Sequence, residues 1–257
     1  MWENEISVAR RAALEAGHLL NELFGRVKRI SKKSEIDLVT EADLQSEKLI
    51  IDRISGSFPQ DSIIAEETGE SRHLPERIWL IDPLDGTTNF AHRFPFFAVS
   101  IALEVEREIV LGVVFNPYWN EHFEAVKGTG AFLNRDPINV SQTGELGDAL
   151  LATGFPYDVH QNPHRVLDLL GKMLIRAQGI RRPGSAAIDL CYVAAGRLDG
   201  FWEEGLKPWD TAAGSIILSE AGGQLSTCEG KPYSPYSDSI VASNSYLHQA
   251  MLLSLNS

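Results

Sequence analysis

The chain opens with a helical pattern. Ile6, Ala9, Ala13, Ala16, Leu20 and Leu23 recur at spacings of three and four, the period of one helix face, and Gly25 marks its end. Lys28 to Ser34 is basic and polar and reads as a mobile loop. A second helix is predicted from Thr40, carrying Leu44, Ile50, Ile51 and Ile54 inward. Two short apolar runs then have strand length, and both stop at acids. Ser62–Ala65 runs into Glu66-Glu67, and Ile78–Ile81 runs into Asp82. Phe97–Val105 and Ile109–Phe115, joined by Glu106-Arg107-Glu108, predict a hairpin. His122–Val126 continues the meander, and Lys127-Gly128-Thr129-Gly130 turns it.

From about Gly144 the texture alternates between strand and helix. Candidate strands are Ala149–Thr153, Gly200–Glu203 and Ile240–Ala242. Candidate helices are His164–Ala177, Ser185–Ala195, Thr211–Ala221 and Tyr246–Leu255. Asp136-Pro137 and Gly144 interrupt the pattern, so a division into halves 1–140 and 141–257 is expected. No internal repeat or low-complexity stretch appears. The expected fold class is a layered α/β (α+β) protein with helices outside mixed sheets.

Composition narrows the function classes. A chain of 257 residues, 44% hydrophobic, can bury a real core as one large domain or two small ones. Thirty-five acids against 23 Lys and Arg give a net charge of −12, which works against unaided binding to nucleic acid. Cys191 and Cys228 have neither a CxxC nor a Cys/His spacing, so neither zinc nor a disulfide framework is expected. The first residues, Met-Trp-Glu-Asn-Glu, are acidic where a secretory signal is basic. No apolar run approaches the roughly 20 residues of a membrane span. A cytoplasmic protein with no membrane partner is the expectation.

The candidate chemistry lies in Trp79-Leu80-Ile81-Asp82-Pro83-Leu84-Asp85-Gly86-Thr87-Thr88. An apolar strand delivers Asp82 at its carboxyl end, where open α/β sheets place ligands. Asp85 follows three residues later, so a tight turn can aim both carboxylates at one point, with the Leu84 carbonyl between them. Gly86-Thr87-Thr88 reads as a first helical turn whose amides favour a phosphate. Hard oxygen ligands without His or Cys suit Mg²⁺. The same acids could simply form a turn and cap a helix. Three further segments keep them company: Glu66-Glu67 at a strand end, Trp209-Asp210 at a helix start, and Asp37 to Asp43. Thr40 and Asp43 are also spaced as a capping box, and Asp210 as an N-cap. The seven histidines His18, His73, His92, His122, His160, His164 and His248 show no ligand spacing, and Trp202 and Trp209 read as packing residues.

Taken in order, Asp37 to Asp43, Glu66-Glu67, Asp82 to Thr87, Gly184-Ser185-Ala186-Ala187, Trp209-Asp210 and Glu220-Ala221-Gly222-Gly223 resemble the inositol monophosphatase family. The likeness runs from the first helix to about residue 245, and the stretch from Arg181-Arg182-Pro183-Gly184-Ser185 to Asp210 is most similar to its bacterial branch. The resemblance implies an αβαβα sandwich, usually homodimeric, acting on a small polyol phosphate, with inositol monophosphate the leading substrate. It implies one Mg²⁺ on Glu66, Asp82 and the Leu84 carbonyl, and a second on Asp82, Asp85 and Asp210. A weaker third would lie on Glu66 through waters. Thr87, backed by Asp43, would position the attacking water, with Glu66 the rival base. Asp85, Gly86 and Thr87 would meet the phosphate; Gly184, Ser185 and Ala186 the polyol; Glu203 and Asp210 its hydroxyls; and Arg181 is a further candidate. The resemblance also implies a closing loop at Lys32 and Lys33, and inhibition by lithium.

Other expectations remain open. Fructose-1,6-bisphosphatase, NADP(H) phosphatase and phosphoadenosine-type phosphatase share such a metal core. Glu203 favours a neutral hydroxyl-rich ring over a second phosphate, which it would repel, although Glu204 could be the acid that reads the substrate. A regulatory role through a protein partner in transcription is the alternative from another class.

Overall fold

A computed structural model describes residues 2–26, 30–32, 38–71, 74–156, 158–161 and 163–257. Of the Lys28–Ser34 stretch read as a loop, residues 30–32 form a short strand antiparallel to residues 38–40; the rest of that stretch, with Lys33, Asp37, His73 and the side chain of Lys32, lies outside the described residues.

The first half contains α1 (Glu3–Leu23), β1 (Ile30–Lys32), β2 (Leu38–Thr40), α2 (Glu41–Ser57), β3 (Asp61–Ala65), β4 (Gly69–Ser71), β5 (Leu74–Asp85), α3 (Thr87–Ala91), β6 (Ala98–Val105), β7 (Glu108–Asn116), β8 (Glu121–Val126), β9 (Ala131–Leu133) and β10 (Asp136–Ile138). The second contains β11 (Leu150–Thr153), α4 (Pro163–Leu174), β12 (Gly179–Arg181), α5 (Ala186–Ala194), β13 (Gly200–Glu204), α6 (Pro208–Glu220), β14 (Gly223–Ser226), β15 (Ser239–Asn244) and α7 (His248–Leu255).

An eight-stranded sheet runs β10-β9-β8-β7-β6-β5-β3-β4, and a five-stranded sheet runs β12-β11-β13-β15-β14. The predicted hairpin is β6–β7, turned through Glu106 and Arg107, both at positive φ. Helices α1 and α2 cover one face of the large sheet. Their small residues Ala9, Ala13 and Ala16 are fully buried with Leu20 and Ile50 against Trp79, Ile81 and Val99. Helices α5 and α6 lie between the sheets, and α4 and α7 cover the outer face of the small one. The result is the five-layer α/β sandwich. The last strand of the large sheet ends at Ile138 and the first of the small one begins at Leu150, and the core around α5 and α6 takes Leu80 and Ala98 from the large-sheet segment and Phe201 and Ile217 from the small-sheet segment.

Two parallel pairings place the site. β3 runs parallel to β5, and β11 runs parallel to β13, so the acids following or ending these strands emerge at carboxyl ends. The Asp82 motif departs from the expected tight turn. β5 continues to Asp85, with Asp82 opposite Ser100 and Asp85 opposite Ala98, so three residue steps on β5 face two on β6. Such a bulge bends a strand and re-aims its side chains. Pro83 sits inside it, where it has no N–H to give.

Candidate active site

One cleft gathers residues from both halves. It is lined by Glu66, Asp82, Leu84, Asp85, Gly86 and Thr87 on one side. Gly184, Ser185, Ala186, Asp189, Glu203 and Asp210 line the other. Arg182 and Phe155 line the cleft too, with the guanidinium 5.1 Å over the ring.

Each acid is anchored by the element that presents it. Asp82 Oδ1 accepts from the Leu84 amide at 2.9 Å across the bulge. Asp85 Oδ2 accepts from the Ser185 hydroxyl at 2.6 Å and the Ala187 amide at 2.7 Å, which binds the bulge to the start of α5. Ser185 is the N-cap of that helix, and its hydroxyl is engaged with Asp85 and the Ile188 amide. Its side chain thus holds an acid, and the residue also lines the cleft. Asp210 Oδ2 accepts from the Lys207 amide at 2.7 Å. It occupies the third position of α6, since Pro208 begins that helix one turn earlier than the sequence suggests. Proline is favoured there because its missing N–H is not needed in a first turn.

The capping box at α2 is real and does more than cap. Asp43 Oδ2 accepts from the Thr40 amide at 2.8 Å and the Thr40 hydroxyl at 2.6 Å. Its other oxygen, Oδ1, accepts from the Thr87 hydroxyl at 2.9 Å, which also lies 3.0 Å from the Leu84 carbonyl. Gly86, at φ +93°, lets this segment approach its neighbours: a Cβ there would stand 2.9 Å from the Phe96 carbonyl oxygen and 3.3 Å from that of Gly184.

The electrostatics are those of a crowded anionic site. Burial pushes the Asp82 carboxyl well above the usual range, and Glu66, Asp85 and Asp210 push it further. Burial lifts Asp85 to about 6, although Ser185 and the Ala187 amide oppose the rise. Asp210 is raised by burial and then by Asp85. Burial also raises Asp43, against its hydrogen bonds from Thr40 and Thr87. Among the described residues, no three His, Cys, Asp or Glu side chains are drawn together into a ready coordination cage. The donor set nonetheless fits a hard divalent cation: Glu66, Asp82, Asp85 and Asp210 are among the acids that line one cleft, with neither His nor Cys in its lining.

Glu203 is buried and Glu204 pairs with Arg165 at 3.0 Å, so the two adjacent acids part roles. Burial lifts Glu203 to about 8, against the pull of Arg182. Its carboxyl occupies space that only glycine leaves: a Cβ on Gly154 would lie 2.0 Å from Glu203 Oε2. Arg181 is corrected. It ends β12, its guanidinium bonds the Ile180 carbonyl at 3.1 Å, and it is exposed outside the cleft lining. Arg182, the first residue after β12, is the one that lines the cleft. Asp189 is a residue that sequence reasoning missed. It is 1% exposed and its Oδ1 has no hydrogen-bond partner. Burial raises it strongly, and Glu203 and Asp85 add to the rise. The available signal was one acid within the apolar helix Ala186–Ala194.

Comparison with known proteins agrees with this geometry. The model of the inositol monophosphatase family matches residues 1–256. The chain is 44% identical over 248 residues to a Synechocystis inositol-1-monophosphatase, covering 96% of this chain and 86% of that one. It is 43% identical over 253 residues to the Escherichia coli protein named Nus factor SuhB, covering 97% and 95%. The crystal structure of extragenic suppressor protein suhB from Bartonella henselae superposes with a TM-score of 0.94 at 40% identity, covering 98% of each chain. With the match spanning both sheets and every acid of the cleft, the chain belongs to the inositol monophosphatase family.

Proposed function

We propose that this phosphatase-family chain is a Mg²⁺-dependent phosphomonoesterase acting on a small polyol phosphate, with inositol monophosphate as the leading substrate. What supports this reading is one cleft whose lining includes Glu66, Asp82, Asp85 and Asp210 together with Thr87, which bonds Asp43, and the buried Glu203. Glu66, Asp82 and the Leu84 carbonyl would hold one ion, and Asp82, Asp85 and Asp210 a second. A third would sit on Glu66 through waters. Bound Mg²⁺ supplies positive charge to the phosphoryl oxygens and the leaving alkoxide, and acidifies water at neutral pH.

The chain's own residues supply the rest. The Thr87 hydroxyl gives its hydrogen to Asp43 or the Leu84 carbonyl, so Oγ1 accepts one from an attacking water and orients it. A proton leaving that water passes through Thr87 to Asp43, with Glu66 the competing base. The amides of Gly86 and Thr87 open a helical turn and face the phosphate. Gly184 and Ala186 line the polyol, Glu203 and Asp210 accept from its hydroxyls, and Arg182 closes that end. A second phosphate would meet the Glu203 carboxyl, which disfavours bisphosphates.

A panel of inositol monophosphate, fructose-1,6-bisphosphate, NADP and phosphoadenosine phosphate, assayed with Mg²⁺ and after chelation, tests this reading. Preference for the inositol ester that disappears on chelation is expected, as is inhibition when LiCl replaces NaCl at fixed ionic strength. Full turnover after exhaustive chelation overturns it. A homodimer in the cytoplasm is the assembly proposed. A second reading, a protein partner in transcription alongside catalysis, is favoured by the relatives named Nus factor SuhB. Affinity capture with wild-type and Asp85→Asn protein, followed by identification of transcription proteins, discriminates the two.

A further inference from the structure

One face of α2 reaches every strand end on the catalytic side of the cleft. Asp43 holds Thr87. Ser46, three residues on, donates from Oγ to the Pro83 carbonyl at 2.8 Å, inside the Asp82–Asp85 bulge. Glu47, four residues from Asp43, accepts from two backbone amides: Oε2 from Glu67 and Oε1 from Thr68, each at 2.8 Å. These spacings place the three side chains together on one helix face. Glu47 is 1% exposed, so its charge is buried and these two N–H groups satisfy it.

The turn that Glu47 grips begins at Glu66. On its other side the Glu66 amide donates to the Ile81 carbonyl at 3.2 Å, one residue before Asp82. The backbone carrying Glu66 is therefore fixed from two directions, by β5 and by α2. A carboxylate is required for that grip. A glutamine has one acceptor oxygen and would turn an NH₂ toward the second N–H, and an aspartate is one methylene shorter.

We propose that Glu47 is a positioning residue that sets Glu66 in register with Asp82, and that α2 is the jig on which the catalytic side of the cleft is aligned. The inference rests on the reading of Glu66 and Asp82 as cation-holding groups. Groups that orient such ligands typically change metal affinity about 10–100-fold when altered.

The test uses the full chain and Mg²⁺ as the only ligand. Calorimetric titration of the wild type comes first, and absence of Mg²⁺ binding there overturns the metal reading and this inference with it. If the wild type binds, Glu47→Gln is expected to weaken Mg²⁺ by about 10–100-fold. Its chelated form should lose hydrogen-exchange protection at the amides of residues 67 and 68, while amides in β6 and β7 keep theirs. Mg²⁺ affinity and protection equal to wild type would overturn the role of Glu47 and leave the metal reading standing. Should Glu47→Gln fail to fold, Glu47→Asp keeps the buried charge but shortens its reach, and the same two measurements decide.

Discussion

At the residue scale, the cleft depends on carboxyl groups held at fixed points. Asp85 accepts hydrogen bonds from Ser185 and the Ala187 amide and shares its cleft with Glu66, Asp82 and Asp210. Asp85→Asn is nearly isosteric, so the fold should survive. Turnover should fall by about two orders of magnitude, the scale of losing one charge in a dry site. Steady-state kinetics beside a thermal melt checks both parts. Glu203 makes a different prediction. Its proton affinity rises on folding, from 4.5 to about 8, so the folded state binds the extra proton. The corresponding stability is fully present below pH 4.5 and is lost as pH rises through about 8. In chelated protein, melting temperature should therefore fall across this window, and Glu203→Gln should flatten part of that fall. The same substitution should raise KM for inositol phosphate and leave the Mg²⁺ requirement unchanged. An unaltered KM together with a changed Mg²⁺ requirement would place Glu203 among the metal-holding groups. Gly154→Ala tests the niche itself. A methyl 2.0 Å from Glu203 Oε2 must displace that carboxyl. KM should rise as in Glu203→Gln, with a stability loss of about 1–3 kcal/mol by urea denaturation.

At the element scale, helix starts and strand ends do the positioning. The first turns of α2, α5 and α6 carry Asp43, Ser185 and Asp210, and each engages a backbone or side-chain group across its own cap. Capping and site assembly are thus the same contacts. Thr40→Val removes the hydroxyl that bonds Asp43 Oδ2 and caps the Ala42 amide. A stability loss of about 1 kcal/mol is expected. Because Thr40 also steadies Asp43, kcat should fall while KM stays near wild type. Stability loss with unchanged kcat would show that the cap and the site are independent.

At the scale of the whole molecule, the two sheets carry opposite walls of one cleft, and α5 and α6 join them through a shared core. The acids of that cleft repel one another, and the chain carries a net charge of −12. A cation that binds only the folded state therefore stabilises it, by about 2.7 kcal/mol at a hundredfold excess over its Kd. Melting temperature should rise with Mg²⁺ concentration. An Asp82→Asn, Asp85→Asn double variant should be more stable than wild type in chelator, because two repelling charges are gone, and should no longer respond to Mg²⁺. A wild-type response in the double variant would locate the stabilising ion elsewhere.

The sequence by itself determined the elements and the inventory of chemistry. Hydrophobic period located α1, α2, the β6–β7 hairpin and the last four helices, because a buried face must repeat at the period of its element. Short apolar runs ending in acids marked Glu66 and Asp82, because a strand leaving the core must end somewhere polar. Short strands such as β9, β10, β12 and β14 were not legible, since three or four residues show no period and are stabilised by their neighbours in the sheet. Only the tertiary structure placed Arg181 outside the cleft and Arg182 in its lining, since the packing of the segment that follows β12 decides which side chain lies there. It also separated Glu203 from Glu204, and showed that Gly154, remote in sequence, makes the niche for one of them. Glu47 and Asp189 belong to the same class. Each looks like an ordinary acid along the chain, and each acquires meaning from what stands across from it once the chain is folded. Burial and proximity set proton affinity and hydrogen bonding, and neither exists until distant segments pack together.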